Sequence, residues 1–206
     1  MTSKFQQLPM EKRRRILNAA LQEFSTKDYK SANTDIIAAR AGISKGSLFY
    51  YFKNKQSLYF TLVRYMAALV EREMQVQPAD EGRDFFELLD ELSVRKLPVL
   101  KAHPGLAEFS ARVFYHSAMP AGPAVDRYLL RLTDELCNKY FAKVDTTRFR
   151  PDCTPRQAID LLMYLADGYL HAQMMAGKPL DIDAMYENYD IWQDMVRRYV
   201  YREEYL

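Results

Sequence analysis

The chain has 206 residues, of which 49% are hydrophobic and 27% charged, with a formal net charge of +2, a balance that excludes an intrinsically disordered chain. No run of eighteen apolar residues occurs, so no membrane span is expected, and the polar, basic beginning does not resemble a secretory signal. The only cysteines are Cys137 and Cys153, which exclude a disulfide framework and predict a reducing, cytoplasmic setting.

The first sixty residues are basic, with eleven Lys or Arg against four Asp or Glu, whereas the remainder carries a net charge of −5. This asymmetry favours a phosphate-binding segment joined to a module with another task, although solvated surfaces would produce it as well. We expect a loose arm at 1–8 and a helix after Pro9 that ends near Thr26, with Asp28 as a left-handed stop. Four basic residues at 12–15 begin this helix, and the sequence does not indicate which of them reach a phosphate.

Two short helices joined by a tight turn are predicted next. The first begins at the N-cap Asn33 and buries Ile37, Ala38 and Ala41. Gly42 lies where the chain must turn sharply, and glycine adopts positive φ at little cost. Ser44 then caps a second helix that buries Leu48 and Phe52. This pattern is typical of a helix-turn-helix, whose second helix enters a DNA major groove.

The outward face of the second helix indicates a binding surface. Lys45, Gly46, Phe49 and Tyr50 lie off its apolar face and are expected to point outward. Gly46 costs helix stability but permits close backbone approach to a partner. Exposed neighbouring aromatic side chains favour a binding face, and Lys55, at the start of the next helix, would suit an adjacent phosphate. Half-buried packing is the alternative for Tyr50 and Tyr51, and the sequence favours it more for Tyr51 than for Tyr50.

The rest of the chain is predicted to be helical. A long amphipathic helix follows the N-cap Asn54 and reaches about residue 77, and a break follows at 78–82. Pro98 is expected to kink or end the next helix, and Thr154 followed by proline is a strong helix start. Further helices are expected at 104–114, 125–144, 154–176 and 183–202, with a loop at 119–123. No segment alternates as a strand would, so the chain is predicted to be all-α with about nine helices.

The segment Ile37–Leu58 resembles the N-terminal signature of the TetR (tetracycline-repressor-like) family of bacterial regulators. The matching features are Ile-Ala-x-x-Ala-Gly-Ile-Ser, a following glycine, an aromatic cluster ending at Phe52, and then Lys55 and Leu58. The resemblance covers roughly residues 10–60, and the remainder agrees with the family only in length and helical character. It implies an N-terminal three-helix helix-turn-helix domain at 1–54 and a C-terminal helical ligand-binding and dimerisation domain at 55–206.

The resemblance also implies a function. The chain would be a ligand-responsive transcriptional regulator, most simply a repressor, that binds a palindromic double-stranded DNA operator as a homodimer formed through its last two helices. An unknown small-molecule effector would release it, and no cofactor is implied. Where many members of the family carry a tyrosine, this chain has Phe49. A hydroxyl contact with DNA is therefore not available there, and the ring would pack instead against a thymine methyl group or a sugar. The implied DNA-binding residues are Asn33, Thr34, Ser44, Lys45, Gly46, Ser47, Phe49, Tyr50, Tyr51 and Lys55.

A ligand site requires a concave apolar space with a few polar groups. The candidates are Phe86, Phe109, His116, Tyr128, Met163, Tyr164, Asp167 and His171. Ordinary core packing is the alternative for each of them. Asp167 is the most suggestive, because it interrupts an apolar helix and a buried carboxylate needs a partner. Tyr164 and His171 share its helix face by their spacing.

Other chemistries have less support in the sequence. His103, His116 and His171 lack the short paired spacing of metal ligands, so no metal site is predicted. Oxidant sensing by Cys153 would need a lowered pKa, which few basic neighbours support. Two alternatives to a DNA-binding regulator remain. One is a helical enzyme that uses Asp167 and His171 as an acid–base pair, and the other is a protein-binding module that uses the exposed aromatic residues without DNA.

Overall fold

The computed structural model describes residues 3–74, 82–114 and 123–206, and their regular structure is α-helical. The helices are α1 (Ser3–Gln6), α2 (Met10–Thr26), α3 (Thr34–Arg40), α4 (Lys45–Phe52), α5 (Lys55–Met74), α6 (Phe85–Ala102), α7 (Pro104–Phe114), α8 (Pro123–Phe141), α9 (Pro155–Met175) and α10 (Ile182–Val200). A short 3-10 turn follows at Glu203–Tyr205, and the same ranges contain two isolated β-bridges. The all-α prediction is confirmed, with ten helices in the described ranges where about nine were expected.

The chain packs as two compact units. The N-terminal unit consists of Met1–Val70 and His103–Tyr128, and the C-terminal unit of Glu71–Ala102 and Leu129–Leu206. α7 therefore belongs to the N-terminal unit although it lies midway along the chain. The functional division expected between residues 54 and 55 stays a prediction, because packing and function need not divide the chain at the same residue.

The core of the N-terminal unit is formed by the apolar faces of α2, α3, α4, α5 and α7. Its fully buried side chains include Ile16, Phe24, Ile37, Leu48, Phe52, Leu58, Leu62 and Phe109. The ring of Phe109 lies 5.4 Å from that of Tyr59 and 6.4 Å from that of Phe24, so α7 closes the core over α2 and α5. The buried positions predicted for the helix-turn-helix are confirmed.

Two expectations for the beginning of the chain are wrong. Residues 3–6 form α1 instead of a loose arm, because Phe5 is only 1% exposed and its ring lies 4.7 Å from that of Phe52. Burial of an aromatic ring offsets the entropy lost when a short segment is ordered. Asp28 is not a left-handed stop, because its φ is not positive. Its carboxylate instead accepts hydrogen bonds from the backbone N–H and the hydroxyl of Ser31, at 2.6 and 2.7 Å. The predicted end of α2 at Thr26 is confirmed.

The core of the C-terminal unit surrounds the beginning of α6. Its buried side chains include Phe85, Phe86, Leu88, Tyr140, Phe149, Leu162, Val196, Val200 and Tyr201. The carboxylate of Asp84 caps α6, because it accepts hydrogen bonds from the backbone N–H groups of Phe86 and Glu87, at 2.9 and 3.0 Å. The hydroxyl of Tyr201 donates to the same carboxylate at 2.9 Å, so the end of the chain stabilises this helix start.

Several predicted helix boundaries are confirmed. Thr154 and Gln157 form a reciprocal capping box at the start of α9, and Gly177, with a φ of +66°, follows the end of that helix. Pro98 does not end its helix, since α6 continues to Ala102. The predicted break at 78–82 and the loop at 119–123 lie largely outside the described residues.

Candidate nucleic-acid interface

Side-chain caps define the two helices of the helix-turn-helix. Asn33 accepts a hydrogen bond from the backbone N–H of Asp35 at 2.8 Å and begins α3, and Ser44 accepts one from that of Ser47 at 3.1 Å and begins α4. Between the helices, Gly42 has a φ of +66°, a conformation that a side chain would strain. The predicted caps and turn are therefore confirmed.

A buried carboxylate from α2 orients α3. Glu23 is 3% exposed, and it accepts hydrogen bonds from the backbone N–H of Asn33 at 3.1 Å and from the guanidinium of Arg40 at 2.9 Å. Because these partners lie at opposite ends of α3, one side chain fixes both ends of the helix that precedes α4. Sequence reasoning missed this contact, since helical spacing does not relate Glu23 to either partner.

The face of α4 opposite Leu48 and Phe52 is open. Tyr50 is 61% exposed, and Lys45 and Gly46 are exposed beside it. Lys45 pairs with Asp35 at 2.9 Å, but both side chains are more than half exposed, so the pair contributes little stability. A partner that offers Lys45 an anionic group would therefore displace this ion pair at small cost.

The other predicted DNA-binding residues of this region lie at the margins of the open face. Four of these residues are half-buried, namely Thr34, Ser47, Phe49 and Tyr51. The ring of Tyr51 meets that of Tyr50 edge to face, with 5.5 Å between centroids. Half-buried packing thus describes Tyr51 but not Tyr50, which projects from the helix. The hydroxyl groups of Ser44 and Ser47 lie 2.9 Å apart and hydrogen-bond to each other.

Gly46 has no internal reason to be a glycine. A methyl group built on it would meet nothing closer than Ser44 Oγ, at 3.8 Å, which is an ordinary van der Waals distance. Yet glycine costs up to about 1 kcal/mol relative to alanine inside a helix. A residue that weakens its own helix without relieving a clash is expected where another backbone must approach closely.

We expect Gly46→Ala to preserve or raise the free energy of unfolding while weakening operator binding by about 1–3 kcal/mol per half-site, the range typical of a disrupted base interaction. The added methyl group would meet no atom of the protein closer than 3.8 Å, so a loss of affinity would arise from space that an approaching DNA backbone needs. Urea unfolding and duplex titration of the same preparation measure the two effects. Undiminished operator affinity would contradict the close approach.

The ammonium group of Lys55 already has partners in the protein. Its Nζ donates to the backbone carbonyl groups of Lys30 at 3.0 Å and Ala32 at 2.5 Å, and lies 5.1 Å from the centroid of the Tyr29 ring. Burial lowers the pKa of Lys55 from its ordinary value. The side chain therefore ties the loop before α3 to the start of α5, and a phosphate contact by the same group stays a prediction.

Lys55→Ala is expected to lower the free energy of unfolding by about 1–3 kcal/mol, because two carbonyl groups are deprived of a charged donor. If Lys55 also binds a phosphate, the variant should bind every duplex more weakly, with a salt slope shallower by about 0.9 for each protomer bound. Urea unfolding and salt titrations separate the two effects. A folded variant that binds with the wild-type slope would limit Lys55 to a structural role.

The predicted ligand residues are divided between the two units. Phe109 is fully buried in the core of the N-terminal unit, where the half-buried Tyr128 also packs, with its ring 4.8 Å from that of Phe60. Phe86 is fully buried in the core of the C-terminal unit. Core packing thus accounts for Phe86 and Phe109. His116 lies outside the described residues.

The predicted ligand residues of α9 do not form a buried cluster. Met163 and Asp167 are half-buried, whereas His171 is exposed and Tyr164 is 71% exposed. The carboxylate of Asp167 is therefore less enclosed than the sequence suggested, and its two neighbours on the helix face solvent. A ligand site that uses these side chains stays a prediction.

Lys96 of α6 was not predicted as a site residue. It is half-buried on the helix face that carries Leu92 and Leu100, and it has no acidic partner within the described part of the chain. The neighbouring Arg95, by contrast, pairs with Glu91 at 2.9 Å. Burial lowers the pKa of Lys96. An unneutralised cation on an apolar face suits an anionic ligand group, and a lysine within an apolar stripe was the sequence signal.

The described residues contain no group of three or more His, Cys, Asp or Glu placed to hold a metal ion. Across the same ranges, none of the helices combines the length and apolarity that crossing a membrane requires. Burial raises the pKa of the Cys153 thiol, which favours its protonated and less reactive form.

The family model described as bacterial regulatory proteins of the tetR family matches residues 16–62. The match begins inside α2 and ends inside α5, so it spans the helix-turn-helix and parts of both flanking helices. It contains every residue of the open face of α4 and both helix caps described above.

Individual proteins are also similar to this chain. Over 142 residues it is 23% identical to the uncharacterized HTH-type transcriptional regulator YhgD of Bacillus subtilis, which covers 67% of this chain and 70% of YhgD. Over 53 residues it is 42% identical to the HTH-type transcriptional regulator RutR of Escherichia coli, covering 26% of this chain and 25% of RutR. SmeT, the repressor of the Stenotrophomonas maltophilia multidrug efflux pump SmeDEF, has a similar fold, with a TM-score of 0.67, 19% identity and coverage of 97% of this chain and 93% of SmeT.

Proposed function

We propose a specific role for this chain, which belongs to the tetR family of bacterial regulatory proteins: it represses transcription from a palindromic operator until a small-molecule effector releases it. The chain is a DNA-binding transcriptional regulator and not an enzyme. It acts in the cytoplasm, where operator DNA lies in a bacterium, and it binds as a homodimer through α9 and α10. The predicted DNA-binding residues from Asn33 to Lys55 form its contact with the operator.

The open face of α4 carries this proposal. Lys45, Gly46 and Tyr50 combine a weakly engaged cation, a position without a side chain and an exposed aromatic ring on one helix. A helix of this kind fits a B-DNA major groove, where lysine contacts guanine and aromatic or methyl groups contact thymine. Specificity then arises from this face and affinity largely from phosphate contacts.

Dimer formation through the last two helices is supported by apolar side chains that they expose to solvent, on a face other than the one that packs into the core. Ile191, Met195 and Tyr199 recur every four residues along α10 and are each more than half exposed, whereas Val196 and Val200 point into the core. On α9 the most exposed apolar side chains are Tyr164 and Met175, which by helical spacing lie on one face with the small Gly168 between them. Two such helices from two copies would bury these residues in a symmetric interface.

For the effector, we propose a site in the C-terminal unit that uses Lys96 as its charged contact. An apolar surface with one unneutralised cation suits an amphipathic molecule with an anionic group. The predicted residues Met163 and Asp167 belong to the same unit. The identity of the effector does not follow from these side chains.

Lys96→Met is expected to raise the melting temperature, because methionine keeps the apolar stem and removes a desolvated charge. The same variant is expected to abolish the thermal stabilisation produced by an anionic effector. Thermal shift against a panel of carboxylates and matched neutral amides measures both effects. Lys101→Met is the control, since it removes an exposed ion pair with Asp183. Equal carboxylate responses in Lys96→Met and wild type would contradict the role of Lys96.

Selection from a pool of random duplexes tests the proposed function. The full-length protein is expected to enrich an inverted repeat, because two copies of α4 related by a two-fold axis contact two equivalent half-sites. Binding to the enriched duplex should weaken steeply with salt. Enrichment of no inverted repeat would contradict operator binding by a homodimer and would favour a protein-binding role for the exposed aromatic residues.

A further inference from the structure

Two tyrosine rings of α4 each carry a lysine from an earlier part of the chain. Lys4 Nζ lies 4.0 Å from the centroid of the Tyr50 ring, and Lys12 Nζ lies 5.6 Å from that of Tyr51. Both distances fall within the range of cation–π attraction, which extends to about 6 Å. Because the two rings also contact each other, Lys4, Lys12, Tyr50 and Tyr51 form one basic–aromatic cluster.

The position of Lys4 is determined by packing. Its neighbour Phe5 is buried against Phe52, which lies on the inner face of α4, and the backbone N–H of Leu8 donates to the carbonyl of Phe5 at 3.2 Å. α1 is thereby held against α4, and the exposed Lys4 side chain reaches over Tyr50. Lys12 is positioned independently, because it belongs to the first turn of α2.

The two lysines of the basic–aromatic cluster are not neutralised within the protein. No described acidic residue forms an ion pair with Lys4 or Lys12, and Glu11, the acidic residue next to Lys12, pairs instead with Arg14 at 3.1 Å. A cation–π contact orients an ammonium group without cancelling its charge. Both lysines therefore remain available to an anion outside the protein.

We propose that Lys4 and Lys12 each bind a phosphate of the operator backbone and so extend the DNA interface from α4 to α1 and α2. The inference rests on the proposed function, since Tyr50 lies on the face of α4 assigned to the major groove. Phosphates line both edges of that groove, so cations held over the rings beside it lie where the DNA backbone passes. Tyr50 and Tyr51 orient the lysines, and the lysines contribute affinity without sequence preference.

Salt titrations of Lys4→Gln, Lys12→Gln and the double variant test the proposal on the full chain, with the duplex obtained by selection. Each single variant removes one phosphate contact per protomer, so for a homodimer on its operator the slope of log affinity against log salt should become shallower by about 1.8, twice the value for one phosphate, and the double variant should show the sum. Affinity for unrelated duplexes should fall in the same proportion. Lys27→Gln is the control, because it removes an equal charge from an exposed position of the same unit that has no ring contact.

Phe5→Ala provides a second variant that leaves both lysines in place. Release of α1 from Phe52 is expected to reproduce the slope change of Lys4→Gln and to leave the contribution of Lys12 intact. Wild-type slopes in both single glutamine variants would overturn the proposal, even if sequence preference changed through Tyr50. Absence of salt-dependent operator binding in the wild-type protein would instead contradict the proposed function. The two results therefore distinguish failure of the lysine contacts from failure of the proposed function.

Discussion

Met195→Glu is expected to convert the proposed homodimer into monomers and to lower operator affinity by about 10²–10⁴-fold, the range gained when two binding modules are linked. Met195 lies at the centre of the outward apolar face of α10, between Ile191 and Tyr199, and is 56% exposed in the single chain. An unpaired carboxylate buried in an interface costs several kcal/mol, and two-fold symmetry would bring two of them together. Sedimentation velocity measures assembly, and titration of the selected duplex measures affinity.

Leu130→Glu is the matched control for this substitution. Leu130 is an exposed apolar residue of the same unit, but it lies on α8. Replacing it introduces the same charge without touching α9 or α10, so the dimer should persist. A dimeric Met195→Glu protein, or a Leu130→Glu protein that dissociates equally, would contradict the interface proposed for the last two helices.

Glu23→Ala is expected to lower the free energy of unfolding by about 2–3 kcal/mol, because it removes a charged, buried acceptor of two hydrogen bonds. The carboxylate of Glu23 accepts from the Asn33 backbone and from Arg40, and so holds α3 at both ends. The half-exposed Arg40 can turn to water, which places the expected cost below that of breaking a fully buried ion pair. Urea unfolding monitored by circular dichroism measures the destabilisation.

Glu11→Ala tests whether this cost belongs to the position of Glu23 or to any carboxylate of α2. Glu11 pairs with Arg14 on the same helix, and both side chains are largely exposed. Surface pairs of this kind contribute about 0–1 kcal/mol, so a small change is expected. Equal destabilisation by the two substitutions would show that Glu23 does not orient α3.

The parts of the fold that depend on local rules could be predicted from the sequence. Helix starts at Asn33, Ser44 and Thr154, and the turn at Gly42, follow from capping and backbone preferences of single residues. Helical spacing predicted that Leu48 and Phe52 are buried, because it relates residues of one helix to one another.

Contacts between distant segments could not be predicted in this way. Nothing in the sequence near Phe5 indicates that it packs on Phe52. This contact explains why α1 forms where a loose arm was expected. The same limit concealed the bonds of Lys55 to the carbonyl groups of Lys30 and Ala32. For a single sequence, such partners depend on how helices are placed in three dimensions, which periodicity does not specify.

The candidate site shows the same division. Four residues of α4 were predicted to point outward because they lie off its buried face. The structure exposes Lys45, Gly46 and Tyr50, whereas Phe49 is half-buried. The ligand residues were chosen by type, and their burial varies from complete for Phe86 to slight for Tyr164. Residue type predicts apolarity, but it does not distinguish a core from a cavity or from a surface between subunits.

Methylation interference on the selected operator tests the central claim most directly, since guanine N7 lies in the major groove. Binding of the homodimer through α4 predicts interference in two symmetry-related major-groove segments, centred about 10 base pairs or a multiple of one helical turn apart. The flanking minor grooves should show no comparable effect at adenine N3. Interference in a single segment, or only in the minor groove, would contradict the assignment of the open face of α4 to the operator.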